Sequence, residues 1–371
     1  MPESAPLTVA FVLASYTDHA PAGMERATAA LARGLRRLGH RALILSVASR
    51  RYWPDDEVKL IFPRVDFPCP DDELRRAMLA QRGDLVRNLN EVFDEYSVDV
   101  AVYVDALWGL GRVAPTGRAR TVLAVHVVGR DDDLHAALER ADVVLAPSAS
   151  VLGQAAGRGY DTRAWQIVPN ALLHEHAPPS DTRREALRRR GPIRVLARLG
   201  PEKNVRALLA AGRLVRRPIQ AIAPAASFEV AVGAQAAEMD RCRYSAAHLH
   251  LGTIHGSGLA WGAVQPWLAG AGVVIVPSVR ETFGLVALEA MSVGTPVVAF
   301  DVDNLPALIG TDRGAGGVIV PRSGGEYGLW RAAEELLDDP VRYGELSRAA
   351  YYRSRDYLPT TVAETFVKAV R

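Results

Sequence analysis

The stretch Pro277-Ser278-Val279-Arg280-Glu281-Thr282-Phe283-Gly284-Leu285-Val286-Ala287-Leu288-Glu289-Ala290-Met291 decides the fold. The apolar run Gly272 to Val276 leads into it and reads as a buried strand, and Pro277-Ser278 then break the pattern as a strand-to-helix turn does. From Gly284 to Val293 the residues are almost all apolar, which suits a helix buried on most sides. Gly294 fits the C-terminus of that helix, and Thr295 to Phe300 reads as the next buried strand. Two carboxylates interrupt this apolar unit. Glu281 falls in the turn, where the positive end of a helix favours its ionised form. Glu289 lies inside the helix, one turn after Leu285 and on the same side. An unpaired buried carboxylate is costly to desolvate. Glu289 therefore needs strong donors, either a core arginine or a diol such as that of a ribose.

The segment resembles the signature of the retaining glycosyltransferases of family four, the glycosyltransferase group 1 type. These carry Glu, seven residues, Glu, with Phe-Gly-Leu after the first Glu; here Glu281-Thr282-Phe283-Gly284-Leu285 and Glu289-Ala290-Met291 match. The resemblance implies the α/β GT-B fold, two Rossmann-like doubly wound parallel-sheet domains facing a central cleft. It also implies that Glu281 faces the donor sugar and Glu289 the nucleotide ribose. The backbone amides of Phe283, Gly284 and Leu285 would bind sugar or phosphate oxygens, a role that suits a helix N-terminus.

Length and composition set the bounds. The 371 residues suggest two or three ordinary domains, and 49% apolar with 23% charged residues is the composition of a globular protein in water. With 44 basic against 42 acidic residues the net charge is +2, which gives no support to a nucleic-acid partner. Cys69 and Cys242 lie far apart, supplying neither metal-ligand spacing nor a disulfide framework, and favour a reducing cytoplasm. No apolar run reaches about 18 residues, so no transmembrane helix is expected. Met1 to Pro6 lacks the basic region and apolar core of a signal peptide. Basic residues are nearly all Arg, and the lysines are Lys59, Lys203 and Lys368.

Leu7 to Ser15 reads as a strand, Tyr16 to Ala22 as a loop, Met24 to Leu38 as a helix after Gly23, and Arg41 to Ala48 as a second strand. This βαβ opening lacks Gly-x-Gly-x-x-Gly, which weakens a dinucleotide reading. By the resemblance, the loop before Gly23 lies near donor phosphate and acceptor. Arg50 to Asp72, rich in Pro and Asp, reads as an irregular insertion, Glu73 to Tyr96 as helical, and Val98 to Val104 as a strand ending at Asp105. Arg120 to Val128 reads as a strand with His126 near its C-terminal end, where ligands gather in open α/β sheets. His126 is either a structural histidine or, as the resemblance implies, close to the donor sugar. Asp131, Asp132 and Asp133 read as acidic residues at a helix start. Ala141 to Ser148 and Val168-Pro169-Asn170-Ala171 also resemble the family.

The expected division is an acceptor-binding domain over 1–172, a linker over 173–191, a donor-binding domain over 192–352 and a helix over 353–371 crossing back. The polar linker carries Arg188-Arg189-Arg190, read as a solvated face. In the second half, Arg198-Leu199-Gly200-Pro201-Glu202-Lys203-Asn204 follows a strand and opens a helix expected to reach Val215. Lys203 in its first turn opposes the helix dipole, a conflict that an anionic ligand relieves. The bland alternative is a surface ion pair between Glu202 and Lys203. The resemblance implies that Arg198 and Lys203 hold the donor diphosphate. It further implies that Gly252-Thr253-Ile254 is a turn whose Ile254 backbone meets the nucleobase. Asp301-Val302-Asp303-Asn304, where the family has glycines, reads as a loop near the sugar rather than as metal ligands.

Together these readings imply retaining transfer of a sugar from a nucleoside-diphosphate sugar to an acceptor hydroxyl, with Glu281, Arg198, Lys203 and His126 as the catalytic set. The nucleotide sugar is a co-substrate, and neither cofactor nor metal is expected. A nucleotide-sugar epimerase, a phosphorylase or a non-catalytic nucleotide-sugar-binding protein are the competing readings. The acceptor is a small molecule: a secondary metabolite such as an aminoglycoside, or a cell-envelope glycan precursor. Acidic residues at Asp55-Asp56-Glu57 and Asp71-Asp72-Glu73 would suit a cationic acceptor. Peripheral membrane contact with a lipid-linked one would use Arg33, Arg36, Arg37 and Arg41.

Overall fold

Short apolar strands alternating with helices build two doubly wound units in the computed structural model. It describes residues 5–16, 23–48, 57–60, 69–117, 119–226, 228–229, 233–249 and 252–371. The first unit takes in Met1–Leu173, Phe228–Val230 and Tyr357–Arg371; the second, His174–Ser227 and Ala231–Asp356.

The strands of the first half are β1 (Thr8–Ser15), β2 (Arg41–Ala48), β3 (Glu57–Leu60), β4 (Cys69–Pro70), β5 (Val100–Val104), β6 (Arg120–Ala124), β7 (Val143–Ala146) and β8 (Gln166–Ile167). Seven of them form a parallel sheet in the order β3-β2-β1-β5-β6-β7-β8. The chain runs outward from β1 to β3 and then returns to β5, so β1 and β5 flank the topological switch point. Crevices at such points collect ligands, at the C-terminal ends of the strands. Alternate strand residues face two layers. Ala10, Val12, Leu43, Leu45, Ala101, Tyr103 and Leu123 pack on one core. Phe11 faces the opposite layer, its ring 6.3 Å from that of Phe366. There the helices Gly23–Arg37 and Pro359–Val370 cross closely at Gly34, where a Cβ would lie 2.0 Å from the Pro359 carbonyl oxygen.

Later strands are β9 (Ile193–Leu196), β10 (Ile219–Ile222), β11 (Phe228–Glu229), β12 (Gly252–His255), β13 (Val273–Val276), β14 (Val297–Phe300) and β15 (Gly317–Val320). Six form the second parallel sheet, ordered β12-β10-β9-β13-β14-β15, with its switch point between β9 and β13. Strands β4 and β11 pair with each other. Strand β13, all valine and isoleucine and fully buried, is the continuous apolar run that a strand covered on both faces requires.

Several local expectations need correction. The stretch read as irregular contains β3, which extends the first sheet beyond β2 with Leu43 opposite Glu57. The helix expected over Glu73 to Tyr96 is two, Asp71–Ala80 and Arg82–Tyr96, separated at Gln81 (φ −111°), two residues before the poor helix former Gly83. Strand β6 stops at Ala124, short of His126. Pro201–Lys203 is a single 3₁₀ turn, and Asn204 then takes a left-handed conformation (φ 56°) before the helix Val205–Ala211. Asparagine tolerates this geometry, and its side chain donates to Glu326 Oε1 at 2.7 Å. Lys203 therefore precedes the helix and does not sit in its first turn. Gly252-Thr253-Ile254 belongs to edge strand β12 rather than to a turn.

Residues read as linker include a helix, Asp181–Arg190, whose N-cap Ser180 accepts from the Arg183 N–H. Arg184 is 3% exposed and donates to Thr295 Oγ1 and Gly272 O, both at 3.2 Å, and to the Tyr343 hydroxyl. Arg188 is likewise engaged, with Glu185 and the Leu337 carbonyl, rather than solvated. A polar composition hides such inward-turned arginines. Among the described residues, no helix is long and apolar enough to cross a membrane.

Candidate active site

Strands β9 and β13 lie side by side at the second switch point, and the turns leaving their C-terminal ends carry the predicted cations and Glu281. Lys203 Nζ donates to Glu281 Oε2 at 2.6 Å, with both side chains largely buried. Ser278, itself buried, donates its hydroxyl to the same carboxylate oxygen at 3.3 Å. Arg198 pairs with Glu202. The Glu202 carbonyl accepts from the Val279 N–H at 2.8 Å, which ties the turn after β9 to the turn after β13. The ion pair weighed in the sequence, Glu202 with Lys203, is thus replaced by two others, Glu202 with Arg198 and Lys203 with Glu281.

A third turn, after β14, braces this one from the other side. Asp303 Oδ2 accepts the Glu281 N–H at 2.6 Å, and Asn304 Nδ2 donates to the Phe283 carbonyl at 2.8 Å. Asp303 adopts φ 46°, a left-handed conformation that Asp reaches more readily than most residues. Side chains therefore fix the Glu281–Phe283 turn from the segment where this sequence departs from the family's glycines. Gly284 (φ 102°) then caps the helix Leu285–Ser292, and a Cβ there would meet Leu305 and Leu308 at 2.8 and 2.9 Å. The first N–H groups of that helix have no acceptor within it. Phe283 and Leu285 are buried on either side of Gly284. Glu289 is 4% exposed, at a depth that both of its readings require. Ile254 lies two strands beyond β9 at the sheet edge, opposite Ala221 of β10, and is not among the residues gathered around Glu281.

His126 and Gly23 belong to the first unit. Gly23 opens its helix, and the loop assigned to phosphate and acceptor, 17–22, lies outside the described residues. The carboxylate of Asp105, at the end of β5, accepts from the N–H of Ala106 at 2.8 Å and of Val127 at 2.9 Å. Asp105 is fully buried at φ 74°. Burial pushes it up to about 7, against the backbone N–H groups of Ala106, Val127, His126 and Leu107 that pull it down. It thereby anchors the turn that carries His126. Desolvation lowers the half-buried His126 ring to about 4, which keeps the imidazole neutral at physiological pH. The ring borders a cavity of about 40 Å³ with walls from β1, β5, β6 and β7 and polar edges at Thr28, His126 and Asn170.

Several of the charges proposed for acceptor or membrane contact have partners within the first unit. Asp71 accepts from Trp108 Nε1 at 2.8 Å, and Asp72 pairs with Arg130. Asp55 and Asp56 lie outside the described residues. Arg33 and Arg36 donate to the carbonyls of Leu173 and Ala42, and Arg41 stacks 4.6 Å over the Tyr96 ring. Sequence reading missed Ser278 as a partner of Glu281, Glu202 as the partner of Arg198 rather than of Lys203, and Asp105 as the anchor of the His126 turn. The departure from glycine at Asp303-Asn304 was the one local signal for that brace.

Comparison with known proteins identifies the family and the fold. Residues 21–176 match the Glycosyltransferase Family 4 model, and residues 193–339 match the Glycosyl transferases group 1 model. The D-inositol 3-phosphate glycosyltransferase of Arthrobacter sp. (strain FB24) is 41% identical over 92 residues, 24% of this chain and 21% of that protein. That of Thermobispora bispora is 44% identical over 85 residues, 23% of this chain and 19% of that protein. The chain thus matches about a fifth of the length of these curated relatives. Among solved structures, sucrose-phosphate synthase from Thermosynechococcus elongatus superposes with TM-score 0.76 at 18% identity, covering 98% of both chains. Anabaena HepE, solved in complex with UDP-glucose, gives 0.75 at 18% identity and the same coverage. The shared architecture is the GT-B fold, and the chain belongs to the group 1, family four glycosyltransferases.

Proposed function

We propose that this protein transfers a sugar, with retention of anomeric configuration, from a nucleoside-diphosphate sugar to a hydroxyl of a small-molecule acceptor, without a metal ion. The observation that carries this reading is the meeting of Lys203 and Glu281 at 2.6 Å, on the two turns that flank the second switch point, with Arg198 on the same turn as Lys203. As the glycosidic bond to the diphosphate breaks, the sugar becomes oxocarbenium-like and negative charge grows on the leaving group. Arg198, Lys203 and the helix N-terminus after Gly284 stabilise that charge more than the ground state, which lowers the barrier. Glu281, held by Lys203, Ser278 and the Asp303 brace, positions the donor sugar, and Glu289 binds the ribose hydroxyls. By its resemblance to the family, His126 is assigned a supporting hydrogen-bond role, with its ring neutral.

UDP is the first nucleotide to test, because a structural neighbour was solved with UDP-glucose. The names of the curated relatives make an inositol phosphate one acceptor to try beside secondary metabolites and envelope glycan precursors. Asp71 and Asp72 each have a partner within the chain but remain exposed, so a cationic acceptor would have to compete with Trp108 and Arg130 for them. The reading is tested by incubating purified protein with UDP-, GDP-, ADP- and dTDP-sugars and an acceptor panel. Nucleoside diphosphate released only with acceptor, together with a retained anomeric configuration by NMR, supports it. An inverted product, or epimerised donor without transfer, contradicts it.

A further inference from the structure

The guanidinium assigned above to the diphosphate already has an anion beside it. Arg198 Nη2 pairs with Glu202 Oε1 four residues on, and the two side chains fold over Gly200. A Cβ at Gly200 would stand 2.7 Å from Glu202 Oε2 and 3.0 Å from Arg198 Nη1, so the bare backbone of Gly200 leaves room for the pair. Glu202 is fixed in place by its own backbone, through the bond from its carbonyl to the Val279 N–H. Its carboxylate is held by charge alone. Oε1 is buried and has no hydrogen-bond partner among the described residues, so its approach to Arg198 is a charge contact without hydrogen-bond alignment. Side-chain exposures of 38% for Arg198 and 26% for Glu202 place the pair at the edge of the site.

Glu281 stands differently, since it receives hydrogen bonds from both Lys203 and Ser278. The two cations of the site therefore have unequal counter-anions, one on Lys203 with two hydrogen-bond donors and one on Arg198 held as an ion pair alone. A diphosphate can offer Arg198 two parallel, charge-assisted hydrogen bonds. It carries more charge than a single carboxylate or a monoanion.

We infer that Glu202 is a resident counter-anion that competes with the donor's diphosphate for Arg198 and sets the charge an incoming anion must carry to displace it. This rests on the reading of Arg198 as a diphosphate ligand. In consequence, Glu202 discriminates against weakly charged anions and keeps donor affinity moderate, which favours release of the nucleoside diphosphate after transfer.

Isothermal titration tests this with inorganic pyrophosphate, which needs no choice of nucleobase, and with inorganic sulfate as the weaker anion. The proteins are wild type, Glu202→Gln, Glu202→Ala, Arg198→Ala and the Arg198→Ala/Glu202→Gln pair, each checked for folding by circular dichroism. Removing a partly exposed counter-anion should tighten pyrophosphate binding about two- to fivefold in both Glu202 variants. The gain should shrink at high salt, and Glu202→Gln should add nothing once Arg198 is alanine. Sulfate should gain at least as much as pyrophosphate. Unchanged or weaker pyrophosphate binding in the Glu202 variants, with Arg198→Ala still weakening it, overturns the inference and makes Glu202 an orienting partner of Arg198. If Arg198→Ala itself leaves binding unchanged, the assignment of Arg198 to the diphosphate falls, and the inference with it.

Discussion

Lys203 and Glu281 are 78 residues apart in sequence and 2.6 Å apart in space, each on a turn at the C-terminal end of a strand beside the second switch point. In the proposed reaction, the cation for the leaving phosphate thus touches the carboxylate for the departing sugar. Replacing Lys203 by Met, which keeps the length and removes the charge, should lower kcat by about 10²- to 10³-fold with a native circular dichroism spectrum. Glu281→Gln should do the same. The double variant should cost less than the product of the two losses, because the residues are in contact. Additive losses in single-turnover assays would mean that the contact has no part in the reaction.

Asp303 acts through Glu281. Its carboxylate holds the Glu281 N–H at 2.6 Å while its own backbone sits at φ 46°. Asp303→Gly removes the acceptor and eases the backbone, so stability should change little while kcat falls about tenfold through loss of turn geometry. Asn304→Ala, which leaves the Phe283 carbonyl without its 2.8 Å partner, should instead cost about 1 to 2 kcal/mol in urea unfolding.

Metal independence has its own check. In the proposed mechanism two cations and a helix N-terminus meet the charge of the leaving group, so EDTA dialysis should leave the transfer rate within about twofold of the untreated enzyme. A loss restored by magnesium or manganese would return a metal role to Asp301 or Asp303.

The pH dependence of stability separates His126 from Asp105. In the folded protein His126 is lowered to about 4, below its ordinary value of 6.5. Between those values the unfolded chain binds more protons, so the stability His126 contributes is complete above pH 6.5 and is lost as pH falls toward 4. Asp105, raised to about 7 from 3.8, has the opposite sign: its contribution is lost as pH rises from 3.8 toward 7. Subtracting the stability of His126→Asn from that of wild type isolates the histidine. That difference, from urea melts, should grow from pH 4.5 to 6.5 and level off above. A flat difference would show that the ring titrates normally.

Strands covered on both faces were legible because they read as unbroken apolar runs, as Val273–Val276 does. The helix after Gly284 was legible from its apolar content, and the Glu281/Glu289 spacing pointed to the family. Pairings between distant residues left no local trace. Lys203 reads the same whether it faces solvent or Glu281, and Arg184 in a polar helix gives no sign of turning inward to Thr295 and Gly272. The breaks at Gln81 and Asn204 depend on backbone angles that hydrophobic periodicity does not encode. Asp105 could be read as a strand end, but its hold on the His126 turn depends on the pairing of β5 with β6.

Determining a structure of the protein with bound nucleoside diphosphate tests the central claim most directly. The account predicts the diphosphate between the turns after β9 and β13, with phosphate oxygens about 3 Å from Arg198 and from Lys203 Nζ and the ribose hydroxyls on Glu289. A nucleotide bound elsewhere, or with its phosphates turned away from Arg198 and Lys203, would contradict it.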